Sequence, residues 1–452
     1  MSEITKNSER IVTIDGYNSS GLGVARIGGH VVFVKNALLG EVCEVKILKV
    51  SRDIAYAKTT GIIKRSPRRV EPACENFGKC GGCDFMHMDY DEELELKRAR
   101  VEDALRRVGG LSIDVPPVAG ADSVENYRNK AVYVIGEEKG RAAAGFYRER
   151  SHEIVPVKTC AIQADAANRS AAALTKWMDD HQIRPYDETS RTGCIRRLFC
   201  RRAAATNTAQ IALVAANNDI GGVDDLVGAI LENCPETASI AINTDRSRGN
   251  AVFSGSFETL WGDSHITDIL CGMEFRLSPR SFYQINHSQA ERLYNTAAGF
   301  AALRENDTAL DLYCGAGAIT LLLAGYAGRV IGAEIVGDAV ADARENAARN
   351  GITNAEFICA DAASAAVSLK QDNVKPAVVV TDPPRRGLTP ETIGAIADLS
   401  PERVVYISCD PATLARDLRI FRELGYPLKS IEPFDMFPRC AHIECCCLLT
   451  KQ

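Results

Sequence analysis

Between residues 10 and 65 apolar and polar positions alternate in short runs such as VVFVK and VCEVKILKV, broken by Gly21, Gly23, Gly28, Gly29 and Gly40. Alternation at period two with glycine punctuation predicts short antiparallel strands closing into a small β-barrel, OB-like in kind. Further on, DYDEELELKRARVEDALRRVGG carries apolar residues at helical spacing and predicts an amphipathic helix stopping at Gly109 and Gly110. Residues 115–268 mix short strands and helices without a decisive period, which suits an α+β domain. From about Phe275 the rhythm becomes regular, with apolar strand cores at 309–313, 329–333, 356–359, 377–381 and 404–408 and helical stretches between the first four. That alternation predicts an α/β domain built on a mostly parallel, doubly wound sheet. The expected division is 8–66, 67–270 and 271–452.

A chain of 452 residues is too long for a single core, in keeping with that division. It opens on the charged stretch MSEITKNSER and has no apolar run of membrane-spanning length, so a cytoplasmic, membrane-free protein is expected. Sixteen cysteines in such a protein point to ligands or nucleophiles more than to disulfides. The net charge of -6 looks unfavourable for nucleic-acid binding, but the positive charge is clustered. Lys46, Lys49, Arg52, Lys58, Lys64, Arg65, Arg68 and Arg69 fall in one segment, and RTGCIRRLFCRR forms a second.

Candidate chemistry concentrates at the predicted strand ends. TALDLYCGAGAITLLLA reads as a strand, a turn carrying Gly315 and Gly317, and a helix start. The next strand ends in Glu334, suited to ribose hydroxyls, and the third is closed by Asp361, placed to meet an adenine. The turn lacks the third glycine of a dinucleotide fingerprint, so the pattern resembles class I S-adenosylmethionine methyltransferases. TDPPRRGL and ISCDPATLARD follow the fourth and fifth strands and put Asp382 and Cys409 at the carboxyl edge where ligands bind. C5 of uracil is too weak a nucleophile to take a methyl group unaided. A thiolate adding to C6 activates it, and a carboxylate must later remove the C5 proton. Glu444, inside the apolar run IECCCLLT, is expected to be dry and of raised proton affinity.

DLYCGAGA, DPPRRG, SCDP and DMFPRCAHIE, in that order, resemble the RNA 5-methyluridine methyltransferases, and the N-terminal segment resembles a TRAM domain, a small RNA-binding barrel. The resemblance implies Cys409 as nucleophile, Glu444 as base, and Gln284, Tyr313, Glu334, Asp361 and Asp382 around the methyl donor. Phe282 and Tyr283, beside Gln284, are candidates either for stacking on a flipped base or for core packing. Asp410 and Ala318 depart from the family pattern, which usually has asparagine at both places.

Cys74, Cys80 and Cys83 have the spacing C-x5-C-x2-C, and Cys160 lies far downstream. Spacing alone leaves zinc and an iron-sulfur cluster both open. The resemblance implies a [4Fe-4S] cluster, which marks the ribosomal-RNA branch, and hence 23S rRNA as substrate; the enzyme is expected to be a monomer. Cys194, Cys200, Cys314 and Cys440 read as packing residues. An amino-methyltransferase would want an aromatic ring after D-P-P, where Arg385 stands, and an RNA cytosine-C5 enzyme would want cysteine in place of Asp382. A non-catalytic RNA-binding factor would not need Cys409 and Glu444.

Overall fold

The computed structural model describes residues 4–217, 220–245, 247 and 251–452. The first sheet comprises β1 (Glu9–Thr13), β2 (Gly16–Tyr17), β3 (Gly23–Ile27), β4 (His30–Lys35), β5 (Val42–Val50) and β6 (Ile54–Lys64), ordered β1-β5-β6-β4-β3-β2. Alternate residues Val32, Val34, Cys43, Val45, Ile47, Ala55 and Ala57 fill its inner face. One pair, β4 with β6, is parallel rather than antiparallel. The β5–β6 hairpin leaves the far edge of β6 open, and β4 docks there running the same way.

The expected helix is α1 (Tyr90–Arg107), capped by Asp89, whose carboxylate accepts from the Glu92 amide at 2.8 Å. Acids in its first turn and arginines in its last suit the helix dipole. Its apolar face, including Val101 and Leu105, joins the core of the C-terminal sheet. The middle of the chain folds as β7 (Lys130–Glu138), β8 (Arg141–Tyr147), β9 (Ile154–Pro156), α2 (Asp165–Asp180), β10 (Ile195–Arg202), β11 (Ala209–Ala215), α3 (Val223–Asn233), β12 (Thr237–Thr244) and β13 (Ser256–Gly262). These strands form one mixed sheet, in the order β13-β12-β11-β10-β7-β8-β9, with α2 and α3 packed against it.

After the hairpin β14 (Ile266–Leu270) and β15 (Met273–Leu277) comes the α/β domain: α4 (His287–Ala301), β16 (Thr308–Leu312), α5 (Ala318–Ala324), β17 (Arg329–Glu334), α6 (Gly337–Arg349), β18 (Ala355–Cys359), α7 (Ala362–Gln371), β19 (Val378–Thr381), α8 (Pro390–Asp398), β20 (Arg403–Ser408), α9 (Pro411–Glu423), β21 (Leu428–Phe434) and β22 (Glu444–Thr450). The order is β18-β17-β16-β19-β20-β22-β21, five parallel strands followed by an antiparallel pair. Pleating sorts the side chains: Leu310, Leu312, Val404 and Tyr406 face α1, α7, α8 and α9, while Ala309, Val378, Val405 and Ile407 face α4, α5 and α6. Each fully buried large aliphatic or aromatic side chain in these two layers contributes roughly 1.5–3 kcal/mol. Helix α8, between the fourth and fifth parallel strands, escaped the sequence reading because its apolar stripe is short. Thr389 as cap and Pro390 in the first turn define its start. No described helix is long and apolar enough to cross a membrane.

Candidate active site

The parallel strands all end at one edge, and the turn after β16 opens there. Tyr313 has φ 66°, a left-handed conformation that costs a non-glycine residue of order 1–3 kcal/mol. Its amide and that of Cys314 both donate to the Ala333 carbonyl, which holds the turn onto β17. A Cβ on Gly315 would project into open space, whereas one on Gly317, at φ 90°, would press on Ala343 and Phe357. Glu334 braces the same turn, accepting from the amides of Gly315 at 3.2 Å and Val336 at 2.9 Å. Asp361 is exposed and caps α7, its Oδ1 accepting from the Ser364 amide at 3.1 Å, and this bonding holds its carboxyl below the usual range.

Beside the turn lies a small enclosed cavity of about 60 Å³, lined by Gln284, Tyr313, Gly315, Asp382 and the partly exposed Ala318, among others. Four of the seven residues expected around a methyl donor therefore meet at one space, with Gly317, Glu334 and Asp361 flanking it along the sheet edge. Gln284 is fixed through its backbone, whose carbonyl accepts from Asn129 Nδ2 at 2.8 Å. The two aromatics next to it separate: Tyr283 is buried and donates to Asp268 at 3.1 Å, whereas Phe282 is 70% exposed at the cavity mouth. Phe282 alone is free to stack on a ligand.

Register brings the thiol and the carboxylate together. Ser408 on β20 pairs with Cys445 on β22, so the antiparallel ladder sets Cys409 against Glu444. Glu444 is 5% exposed, and burial, reinforced by Asp382, drives its carboxyl well above the usual range while Arg385 opposes. Burial likewise raises Asp382 to about 7. Burial pushes the Cys409 thiol up to about 12, with the Glu444 and Asp382 charges adding and Arg385 subtracting. Asp410 caps α9, accepting from the amides of Ala412 at 2.9 Å and Thr413 at 3.1 Å, so this departure from the family pattern has a local structural use.

Several contributing residues had not stood out in the sequence. Asp311 is buried beneath the turn, takes a 2.6 Å hydrogen bond from Thr320, keeps Oδ1 without a partner among the described residues, and is raised by burial to about 7. A lone aspartate in the apolar run TALDLY was the available signal. Asp435 and Lys97, fully buried, bond at 2.6 Å, and Lys97 also reaches Glu93 at 2.7 Å and the Phe437 carbonyl at 3.2 Å. This grip fixes the loop leading to Glu444, and its partners lie too far apart in sequence for any local pattern to show it.

The basic clusters divide. On the outward face of the barrel Lys46 pairs with Lys58 and Lys58 with Lys35, beside the contacting rings of Phe33 and Tyr56. Like charges set directly opposite one another cost stability unless an anion covers them. Arg69, by contrast, is spent on Glu41 at 2.6 Å. In the second cluster Arg201 is buried and donates to the Ser278 and Ser281 carbonyls, shaping the loop that carries Gln284.

Cys74, Cys80, Cys83 and Cys160 line one cavity of about 430 Å³ between the cysteine loop and the middle sheet. Burial raises the thiols of Cys80 and Cys160, and a thiol contact with Cys440, joined by burial, raises Cys83. Asn76 Nδ2 donates to the Pro156 carbonyl at 3.1 Å and Cys80 bridges to Arg148, tying loop to sheet. Among the described residues no three His, Cys, Asp or Glu side chains close to the distances of a single-ion site. Cys440, expected to be a packing residue, is buried against this loop, with its sulfur 3.1 Å from the Gly82 carbonyl.

Residues 270–452 match the tRNA (Uracil-5-)-methyltransferase family, and residues 4–60 match the TRAM domain. An uncharacterized RNA methyltransferase of Clostridium tetani is 38% identical over 99% of this chain and 97% of its own. Another, from Halalkalibacterium halodurans, is 38% identical over 98% and 96%. The chain belongs to the uracil-5 RNA methyltransferase family. Among solved structures, the tRNA (uracil-54, C5)-methyltransferase of Pyrococcus abyssi in complex with S-adenosyl-L-homocysteine superposes with a TM-score of 0.79 at 26% identity, covering 97% of this chain and 99% of that one. The methyltransferase is thus S-adenosylmethionine-dependent, and its barrel is an RNA-binding TRAM domain.

Proposed function

We propose that this enzyme methylates C5 of a uridine in 23S rRNA through a covalent Cys409 adduct. The observation that carries the reading is the strand register that sets Cys409 against Glu444 at the sheet edge holding the glycine turn. Gln284, Tyr313, Gly315, Gly317, Glu334, Asp361 and Asp382 hold the bound donor, which supplies an electrophilic methyl group. The Cys409 thiolate adds to C6 of the uracil and pushes electron density onto C5, which takes the methyl group as its bond to the donor's sulfonium sulfur breaks and S-adenosylhomocysteine is left. Glu444, kept basic by its dry surroundings, then removes the C5 proton. The C5–C6 double bond re-forms as the Cys409 sulfur departs, and the thiolate is regenerated.

Residues 8–66 serve as RNA reader, 67–270 as spacer and cysteine scaffold, and 271–452 as catalyst. The cluster implied by the family resemblance would be a [4Fe-4S] group held by Cys74, Cys80, Cys83 and Cys160, whose thiols line one cavity. The reaction above needs no electron transfer, which leaves the cluster the task of pinning the loop. Through the family resemblance, this cysteine set favours ribosomal RNA as substrate. The likeness to the Pyrococcus enzyme favours a second reading, the same chemistry on tRNA. RNA carrying 5-fluorouridine, whose C5 fluorine cannot leave as a proton, should form a denaturant-stable adduct with the enzyme. The Cys409→Ala variant should form none, and an adduct with that variant refutes the assignment. Separating rRNA from tRNA after labelled methyl transfer to RNA from cells lacking the enzyme decides between the substrates.

A further inference from the structure

A third cavity, of about 360 Å³, lies where three parts of the chain meet. The barrel contributes the turn at Ser19–Ser20 and Asn36, the cysteine loop contributes Phe85 and His87, and the catalytic domain contributes His442. His87 is 3% exposed, lines this space, and has neither ring nitrogen partnered among the described residues. An unmet donor and acceptor on one buried ring leave a deficit of a few kcal/mol unless something entering the cavity pairs with them. Burial lowers the ring to about 4, so at neutral pH it presents one N–H and one bare nitrogen. It is stacked on Phe77 with ring centroids 5.2 Å apart, which fixes its plane.

The charged groups lining the cavity are already engaged. Lys35 is paired with Glu149 at 2.5 Å, Arg100 donates to the Ala441 carbonyl, and Asp84 accepts from the Ala441 amide at 2.8 Å. His442 already contacts Arg385 at 3.0 Å, so what remains for a guest is neutral hydrogen-bonding capacity on His87, Asn36 and two serines, a set that suits the edges of a heterocyclic base more than a phosphate. Two surroundings say where such a base would come from. The lysine row of the barrel ends at Lys35, on the rim of the cavity. His442, on the opposite wall, precedes Glu444 by two residues, a separation of at most about 7 Å along extended backbone.

On the basis of the RNA uracil-C5 reading above, we propose that this cavity is a second base-binding subsite, which takes an unstacked nucleotide of the substrate RNA close in sequence to the target uridine and reads it through His87. Splaying a second base out beside the target would hold the strand open at two points, so that the uridine stays out of the stack through both halves of the reaction. The cavity shares Cys80 and Cys83 with the thiol-lined cavity on the other side of the same loop, which gives the pinning of that loop a purpose in RNA recognition.

The test uses the full-length enzyme, labelled S-adenosylmethionine, and RNA from cells lacking the enzyme. Ser20 is exposed at the cavity mouth, so Ser20→Trp obstructs the cavity from outside without touching the core, and His87→Leu removes both nitrogens at similar volume. Each should raise KM for RNA about ten-fold, with kcat and KM for the methyl donor unchanged. Ultraviolet cross-linking of the wild type should attach a nucleotide to the peptide containing Phe85–His87, and Ser20→Trp should abolish that link. Unchanged KM in both variants, or an effect in Ser20→Trp alone with no cross-link at His87, overturns the subsite. The 5-fluorouridine adduct at saturating RNA should persist in both variants. Its absence from the wild type would instead strike the active-site reading.

Discussion

Replacing Glu444 by glutamine separates the two halves of the reaction. The register continued one step sets Glu444 opposite Cys409, where facing Cα atoms lie about 5 Å apart; over about that distance an ionised Glu444 in a protein-like effective dielectric near 20 repels a thiolate by ~3 kcal/mol. Removing that charge should speed adduct formation, by up to about a hundred-fold. Removing the base should slow release by about 10²–10⁴-fold, the usual worth of a positioned proton acceptor. Glu444→Gln should therefore transfer one methyl group quickly and stall with methylated RNA still bonded to Cys409. Labelled donor and unmodified RNA, resolved on a denaturing gel, should show the label migrating with a protein–RNA species. Free methylated RNA produced at the wild-type rate would refute the role of Glu444. Stability should move the other way. A carboxyl whose folded pKa is raised destabilises the protein as pH climbs from its unfolded value through its folded one, so at pH 8 the wild type bears a cost that glutamine lacks. Relief of such a buried charge is worth roughly 1–3 kcal/mol, visible as a melting temperature a few degrees higher at pH 8 and a smaller gain at pH 5.

Because burial raises the Cys409 thiol to about 12, its alkylation by iodoacetamide in the RNA-free enzyme should rise about ten-fold per pH unit from 7 to 10 without a plateau, and Arg385→Met should slow it further. A plateau setting in at about pH 9.5 would show the thiol to be unperturbed. Lys97→Met strands Glu93 and Asp435 in the interior and should cost about 3–5 kcal/mol in urea melts at pH 8. Burial holds Glu93 at about 7, so the deficit should shrink toward pH 5 as that carboxyl takes up a proton. Enzyme purified without oxygen should be brown with about four irons per chain, and Cys80→Ser should lose both colour and iron; stoichiometric zinc would overturn the cluster.

The parallel strands and the edge where they end were readable from residues alone, because a strand buried on both faces must be apolar, whereas Gln284 and the roles of Cys409 and Glu444 rest on the family resemblance. Glu444 stood out only as a charge in an apolar run. What could not be read was anything fixed by distant pairing. Tyr283 and Phe282 are neighbours with opposite fates because Asp268 captures one hydroxyl. Arg201 sits in a basic stretch yet is buried because two carbonyls from the next domain accept from it. The parallel placement of β4 likewise follows from which edge the β5–β6 hairpin leaves free, not from its own alternation.

Helix α1 lends Val101 and Leu105 to the layer beneath α9, and Lys97 to the loop before Glu444, although it lies far upstream of residue 270, where the family match begins. The segment that carries the family likeness is therefore not a portable part. Cut at residue 270, the catalytic sheet would present a dry, greasy trough where α1 had lain, and Asp435 would be left without its counter-ion. Anyone wishing to fit this catalyst with a different RNA-reading front end would have to carry α1 along with it, joined by a new linker, and make the swap upstream of Asp89.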